Sequence, residues 1–138
     1  MFTLDSRLQA DTLKVGDLAL CRVLLMNDTQ YPWCILVPKR PDITEVFDLT
    51  AEEQQQLWQE SSLLASTMQR LFNADKMNIA TLGNVVSQLH IHVISRQTSD
   101  SAWPAPVWGK HPAIPYTSQQ AQTVIQQLTD ALEGHWHA

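Results

Sequence analysis

Apolar residues gather into short runs along the first part of the chain. Leu18-Ala19-Leu20-Cys21-Arg22-Val23-Leu24-Leu25-Met26 reads as a mostly buried strand, closed by the turn-forming pair Asn27-Asp28. Trp33-Cys34-Ile35-Leu36-Val37 follows with the same character and is stopped by Pro38, which lacks the N–H a ladder needs, so the two runs predict a hairpin. Thr50-Ala51-Glu52-Glu53 then matches a capping box, in which the Thr50 hydroxyl accepts a first-turn N–H and Glu53 reaches back to the Thr50 N–H. From Leu57 the apolar positions Leu64, Met68, Leu71 and Phe72 recur at helical spacing, while Gln54, Gln55, Gln59 and Arg70 supply a wet face. The pattern predicts a helix over Ala51 to Phe72.

Lys76 to Leu82 and the alternating Leu89-His90-Ile91-His92-Val93-Ile94 are separated by a Gly83-Asn84 turn and predict two adjacent antiparallel strands. Asp100 to Tyr116 holds Pro104, Pro106, Pro112 and Pro115 with Trp103 and Trp108, the composition of an ordered loop. Thr117-Ser118 can cap a last helix, whose stripe Ala121, Val124, Ile125, Leu128 and Leu132 runs to a stop at Gly134. His135 and His137, close to the end, are expected to fray. Consecutive strands able to pair as hairpins, with helices grouped beside them, predict an α+β fold. Its antiparallel sheet has one face covered by a long helix and a C-terminal helix, unlike a doubly wound parallel sheet.

The length of 138 residues fits one domain over 1–138, with a core at 18–96 and a C-terminal loop and helix at 97–138. Apolar residues at 44% and charged ones at 17% argue against disorder. Fourteen acidic against 9 basic residues give a net charge of −5, which weighs against a long nucleic acid as partner and leaves a local cationic pocket open. Cys21 and Cys34 are too few for a disulfide framework and read as small buried hydrophobes, and Met1-Phe2-Thr3-Leu4-Asp5 does not open like a secretory leader. A reducing, cytoplasmic setting is the expectation. No apolar run approaches the roughly 18–20 residues of a membrane span.

The chemistry concentrates in Gly83-Asn84-Val85-Val86-Ser87-Gln88-Leu89-His90-Ile91-His92-Val93-Ile94-Ser95-Arg96. On a strand, Leu89, Ile91 and Val93 point into the core and Gln88, His90 and His92 to the opposite face, with the two imidazoles about 6.5–7 Å apart at the backbone. Such a pair can supply a nucleophile, a general acid or base, an anion clamp or two metal ligands. Two histidines packed and solvated at a sheet surface are the plain alternative. His111 reads as a solvated loop residue, and Trp103 and Trp108 as packing for the C-terminal loop or lining for a nucleotide or dimer-partner pocket.

The run Gln88-Leu89-His90-Ile91-His92-Val93-Ile94, preceded by Gly83-Asn84-Val85-Val86, resembles the signature of the histidine triad (HIT) superfamily of nucleotide hydrolases and transferases, His-φ-His-φ-His-φ-φ after Gly-Gln-x-Val, with φ apolar. The second and third histidines and every apolar position match. Leu25-Met26-Asn27 and Trp33 to Lys39 also resemble the family's first hairpin, and Trp103-Pro104 a Trp-Pro found after the motif in some members. The sequence departs in three places: Gln88 replaces the first His, Val85 stands where many members have Ser or Thr, and Trp33 where one branch has a fourth His.

The resemblance implies a sheet of about five strands and catalysis at the α-phosphate of a nucleotide derivative. His90 is then the nucleophile, forming a nucleotidyl-imidazole that water resolves, with its other ring nitrogen donating to a backbone carbonyl. His92 stabilises phosphate charge. Gln88 lies beside the nucleophile, Asn84 donates to the phosphate or leaving group, and Asn27 bonds the ribose hydroxyls. The scheme needs no cofactor and no metal, and the family resemblance implies a homodimer. Two readings compete with it: a nucleotide-binding module with reduced catalysis, motivated by Gln88 and Val85, and a metal-binding protein using His90 and His92.

Overall fold

The computed structural model describes residues 1–138. Strands β1 (Thr12–Asp17), β2 (Cys21–Met26), β3 (Trp33–Pro38), β4 (Lys76–Ala80) and β5 (Ile91–Arg96) form one antiparallel sheet in the order β1-β2-β3-β5-β4. Three helices accompany it: α1 (Ser6–Asp11), α2 (Ala51–Phe72) and α3 (Ser118–Ala131). The α+β class and the five strands agree with the sequence reading. No helix is long and apolar enough to cross a membrane.

Local chemistry sets the element ends. The β2 ladder begins at Cys21, three residues after Leu18, and a buried α2 carboxylate satisfies the backbone donors at its start: Glu60 accepts from Leu20 N at 2.9 Å and Cys21 N at 2.8 Å. The capping box of α2 is formed as predicted, with Glu53 N donating to Thr50 Oγ1 and Thr50 N to Glu53 Oε1. Asn73, left-handed at φ 50°, ends that helix. Helix α3 stops at Ala131, short of Gly134, which adopts φ +88°.

The sheet is covered on both faces, which corrects the expectation of one covered face. Cys21, Val23, Leu25, Cys34, Leu36, Ile91 and Val93 pack with Leu57, Leu64 and Met68 of α2 and Leu128 of α3. On the other face Leu24, Trp33, Ile35, Val37 and Ile94 pack with Leu8 of α1, Tyr31, and Ala102 and Val107 of the loop over 97–116. The continuous apolar runs of β2 and β3 are those of strands buried on both sides.

Both chain ends join the fold. The segment before Leu18 supplies α1 and the edge strand β1. The C-terminus does not fray: His137 N donates to Asp17 O at 2.7 Å, and the Trp136 ring lies so close that a Cβ on Gly16 would sit 2.8 Å from it. At the end of β5 the buried Arg96 donates to Asp100, Asn78 Oδ1 and Ala105 O, between the rings of Tyr31 and Trp103, and so ties the loop to the second face.

Candidate active site

Alternation along β5 places Ile91 and Val93 under the helices and His92 and Ile94 on the loop-covered face. His90 lies just before the first β5 residue, because Leu89 N donates to Ile43 O instead of to a neighbouring strand. Both imidazoles are nearly enclosed, at 4% and 5% exposure. Their ring centroids are 4.9 Å apart at an interplanar angle of 71°. The structure therefore brings the two predicted catalytic residues together.

Each ring is held at Nδ1 by a different kind of partner. His90 Nδ1 is 2.7 Å from the backbone carbonyl of Gln88, which can only accept, so Nδ1 carries a proton and, in the neutral ring, Nε2 holds the lone pair. His92 Nδ1 lies 3.0 Å from the indole Nε1 of Trp33. Burial, and then the neighbouring His90 ring, push the His92 imidazole down to about 3, so it is neutral at physiological pH. Any clamp His92 puts on an anion works by hydrogen bonding rather than by full charge.

Trp108, from the loop, packs edge-on against His92 at 4.9 Å and against Trp33 at 5.9 Å. Beyond these two indoles lies a cavity of about 410 Å³, with Asn27, Asp28, Val107 and His111 among its lining. Asn27 Oδ1 accepts from Tyr116 N at 2.9 Å, while its Nδ2 has no protein partner. A second hollow of about 410 Å³ lies beside Gln88, lined by Thr3, Asp5, Asp42, Thr44 and Ser87. Neither imidazole lines these hollows directly: Trp33 and Trp108, which pack on His92, line the first, and Gln88, whose carbonyl meets His90, lines the second.

Gln88 and Asn84 occupy different settings. The Gln88 amide is engaged at both ends by the N-terminal segment, donating to Thr3 O at 2.9 Å and accepting from Asp5 N at 2.8 Å. Asn84 is exposed on the loop before His90 and makes no hydrogen bond, while the neighbouring Val85 O accepts from Arg7 Nη1 of α1. His111 is exposed but lines the first cavity. Sequence reasoning did not assign Trp33 to His92. The signal becomes readable once the register is known, since Ile35 pairs with His92 and Trp33 lies two residues away on the same face.

No three His, Cys, Asp or Glu side chains come together as a metal-binding group. Burial pushes the Cys34 thiol up to about 12 and the Cys21 thiol higher still, which makes both poor nucleophiles.

The sequence profile of the HIT domain matches residues 7–99. A histidine triad protein from Marinobacter aquaeolei VT8 superposes with a TM-score of 0.95 at 52% identity, covering 98% of each chain. A histidine triad (HIT) protein from Sinorhizobium meliloti 1021 gives 0.93 at 45% identity, covering 96% of this chain and 98% of its own. A bis(5'-adenosyl)-triphosphatase from Dictyostelium discoideum is 32% identical over 74 residues, half of this chain and half of the relative's own length. With the histidine pair, the sheet order and these matches in agreement, the chain belongs to the HIT-domain family.

Proposed function

We propose that this protein is a nucleotide hydrolase or nucleotidyl transferase acting at the α-phosphate of a nucleotide derivative through a covalent intermediate on His90. The observation that carries the reading is the bond from His90 Nδ1 to the Gln88 carbonyl, which leaves Nε2 unprotonated beside a second imidazole. The triphosphatase relative favours a dinucleoside polyphosphate as the substrate class.

In this scheme the Nε2 lone pair of His90 attacks the α-phosphorus and forms an N–P bond. The bond from phosphorus to the bridging oxygen breaks, and the leaving phosphate departs with that electron pair, needing no proton. Water then attacks phosphorus, the N–P pair returns to Nε2, and the proton of water passes to solvent. His90 keeps its Nδ1–H on the Gln88 carbonyl throughout, which stabilises the positive ring of the intermediate. His92 hydrogen-bonds the phosphate oxygens. The free Nδ2 of Asn27 meets the ribose hydroxyls, and the exposed Asn84 amide donates to the phosphate or leaving group. Gln88 contributes its carbonyl, and its side chain, held by Thr3 and Asp5, keeps one N–H and one oxygen lone pair for a further hydrogen bond.

The chain acts as one domain over 1–138, in the cytoplasm, and as a homodimer. The edge strand β4, with Ile79 38% exposed, supports pairing with a second copy, and light scattering on the purified protein tests it. The catalytic reading is tested by incubation with diadenosine polyphosphate or an adenosine phosphoramidate. The expected result is a nucleotidyl adduct on His90 by mass spectrometry, absent in His90→Ala. Nucleotide binding without an adduct or turnover marks the protein as a binding module instead.

A further inference from the structure

We propose that Trp33 is a positioning residue whose indole N–H, donated to His92 Nδ1, fixes the neutral His92 ring as the Nε2–H tautomer, so that His92 offers a donor where His90 offers a lone pair. An indole nitrogen can donate a hydrogen bond and cannot accept one. At 3.0 Å from Trp33 Nε1, His92 Nδ1 is therefore the bare nitrogen of its ring, and the proton of the neutral imidazole sits on Nε2. The carbonyl of Gln88 imposes the opposite assignment on His90. Two chemically identical side chains, two residues apart, are thus set to complementary roles by partners that cannot exchange functions.

Strand register makes this contact possible. Ile35 pairs with His92 across β3 and β5, and Trp33 pairs with Ile94, so Trp33 is the diagonal neighbour of His92 on the same face. Diagonal cross-strand pairs lie within reach of aromatic side chains. The indole cannot easily turn away: it is 7% exposed and is held edge-on by Tyr31, at 6.4 Å, and by Trp108, at 5.9 Å. Trp33, Ile35 and Trp108, which face His92 from β3 and the loop, do not titrate, and the one ionisable side chain stacked on it is His90. A proton placed on His92 Nδ1 would point at the indole N–H, so the contact also holds the ring neutral.

The tautomers themselves do not depend on the hydrolase reading, whereas their catalytic consequence rests on it. Nitrogen-15 NMR of the histidine rings at neutral pH reads them directly. The expected spectrum has His92 protonated at Nε2 and bare at Nδ1, with His90 the reverse. Trp33→Phe keeps a ring in the site and removes the donor. It is expected to leave His92 as a mixture of tautomers with a raised pKa, and to lower kcat by roughly 10- to 100-fold with little change in KM, as for loss of one partner in a buried hydrogen bond. Wild-type His92 carrying its proton on Nδ1 overturns the proposal, as does a Trp33→Phe variant with unchanged tautomers and turnover. The expected tautomers in a protein that turns over no nucleotide support the lock and overturn the hydrolase reading.

Discussion

Arg96 and Asp100 form a two-pronged ion pair nearly sealed from solvent, with Nε 2.7 Å from Oδ2, Nη2 3.0 Å from Oδ1 and side-chain exposures of 2% and 5%. Burial alone would raise the Asp100 carboxyl. The Arg96 bond and the N–H groups of Gln97, Ala102 and Trp103 outweigh burial and hold it below the usual carboxylate range. The pair fixes the start of the loop that carries Trp108 onto His92. Removing one partner leaves a buried charge uncompensated, so Asp100→Ala is expected to destabilise the protein by about 3–5 kcal/mol. Urea unfolding measures the loss.

Acid sensitivity follows from His92. Its folded pKa, about 3, lies below the ordinary 6.5, so between these values the unfolded chain binds the extra proton. The contribution of a neutral His92 is complete above about 6.5 and is lost as pH falls toward 3. The slope is at most about 1.4 kcal/mol per pH unit. Unfolding midpoints of wild type and His92→Gln measured from pH 7 to 5, above most carboxylate titration, are expected to converge as pH falls. Parallel curves would count against the assignment.

Gly16 is a packing requirement. A methyl group there meets the Trp136 ring at 2.8 Å, so Gly16→Ala is expected to cost about 1–3 kcal/mol. Adding Trp136→Ala removes the clash, and a thermal double-mutant cycle is expected to show that the two losses are less than additive.

Gln88→Ala separates anchoring from chemistry. Losing both amide bonds frees the backbone at Thr3 and Asp5, at a cost of about 1–2 kcal/mol, read as faster amide exchange at Asp5. The carbonyl that orients His90 belongs to the backbone and survives, so the nucleotidyl adduct on His90 is still expected to form.

The features legible in the sequence were those carried by near neighbours. The Thr50–Glu53 box and the apolar stripe of α2 give that helix its observed bounds, and alternation around His90 and His92 puts both on one side. Helix α1, with six residues, is too short for periodicity, and the bulge between Lys14 and Gly16 interrupts the alternation of β1. Trp33 and His92 are 59 residues apart, and Gln88 and Thr3 are 85 apart. Such contacts come from strand register and from the path of the N-terminal segment, which no local pattern encodes. The runs in β2 and β3 say that both faces are buried, without saying what buries the second.

The pairing of His137 with Asp17 makes the two ends of the sheet unequal. A sheet with two open edges can recruit copies without limit, which is the route to fibres. Here part of the β1 edge is already occupied by the chain's own tail, while the β4 edge has no neighbour beyond it. In the homodimer proposed above, addition through β4 consumes the open edge of both participants and leaves only the partly occupied β1 edges for further growth.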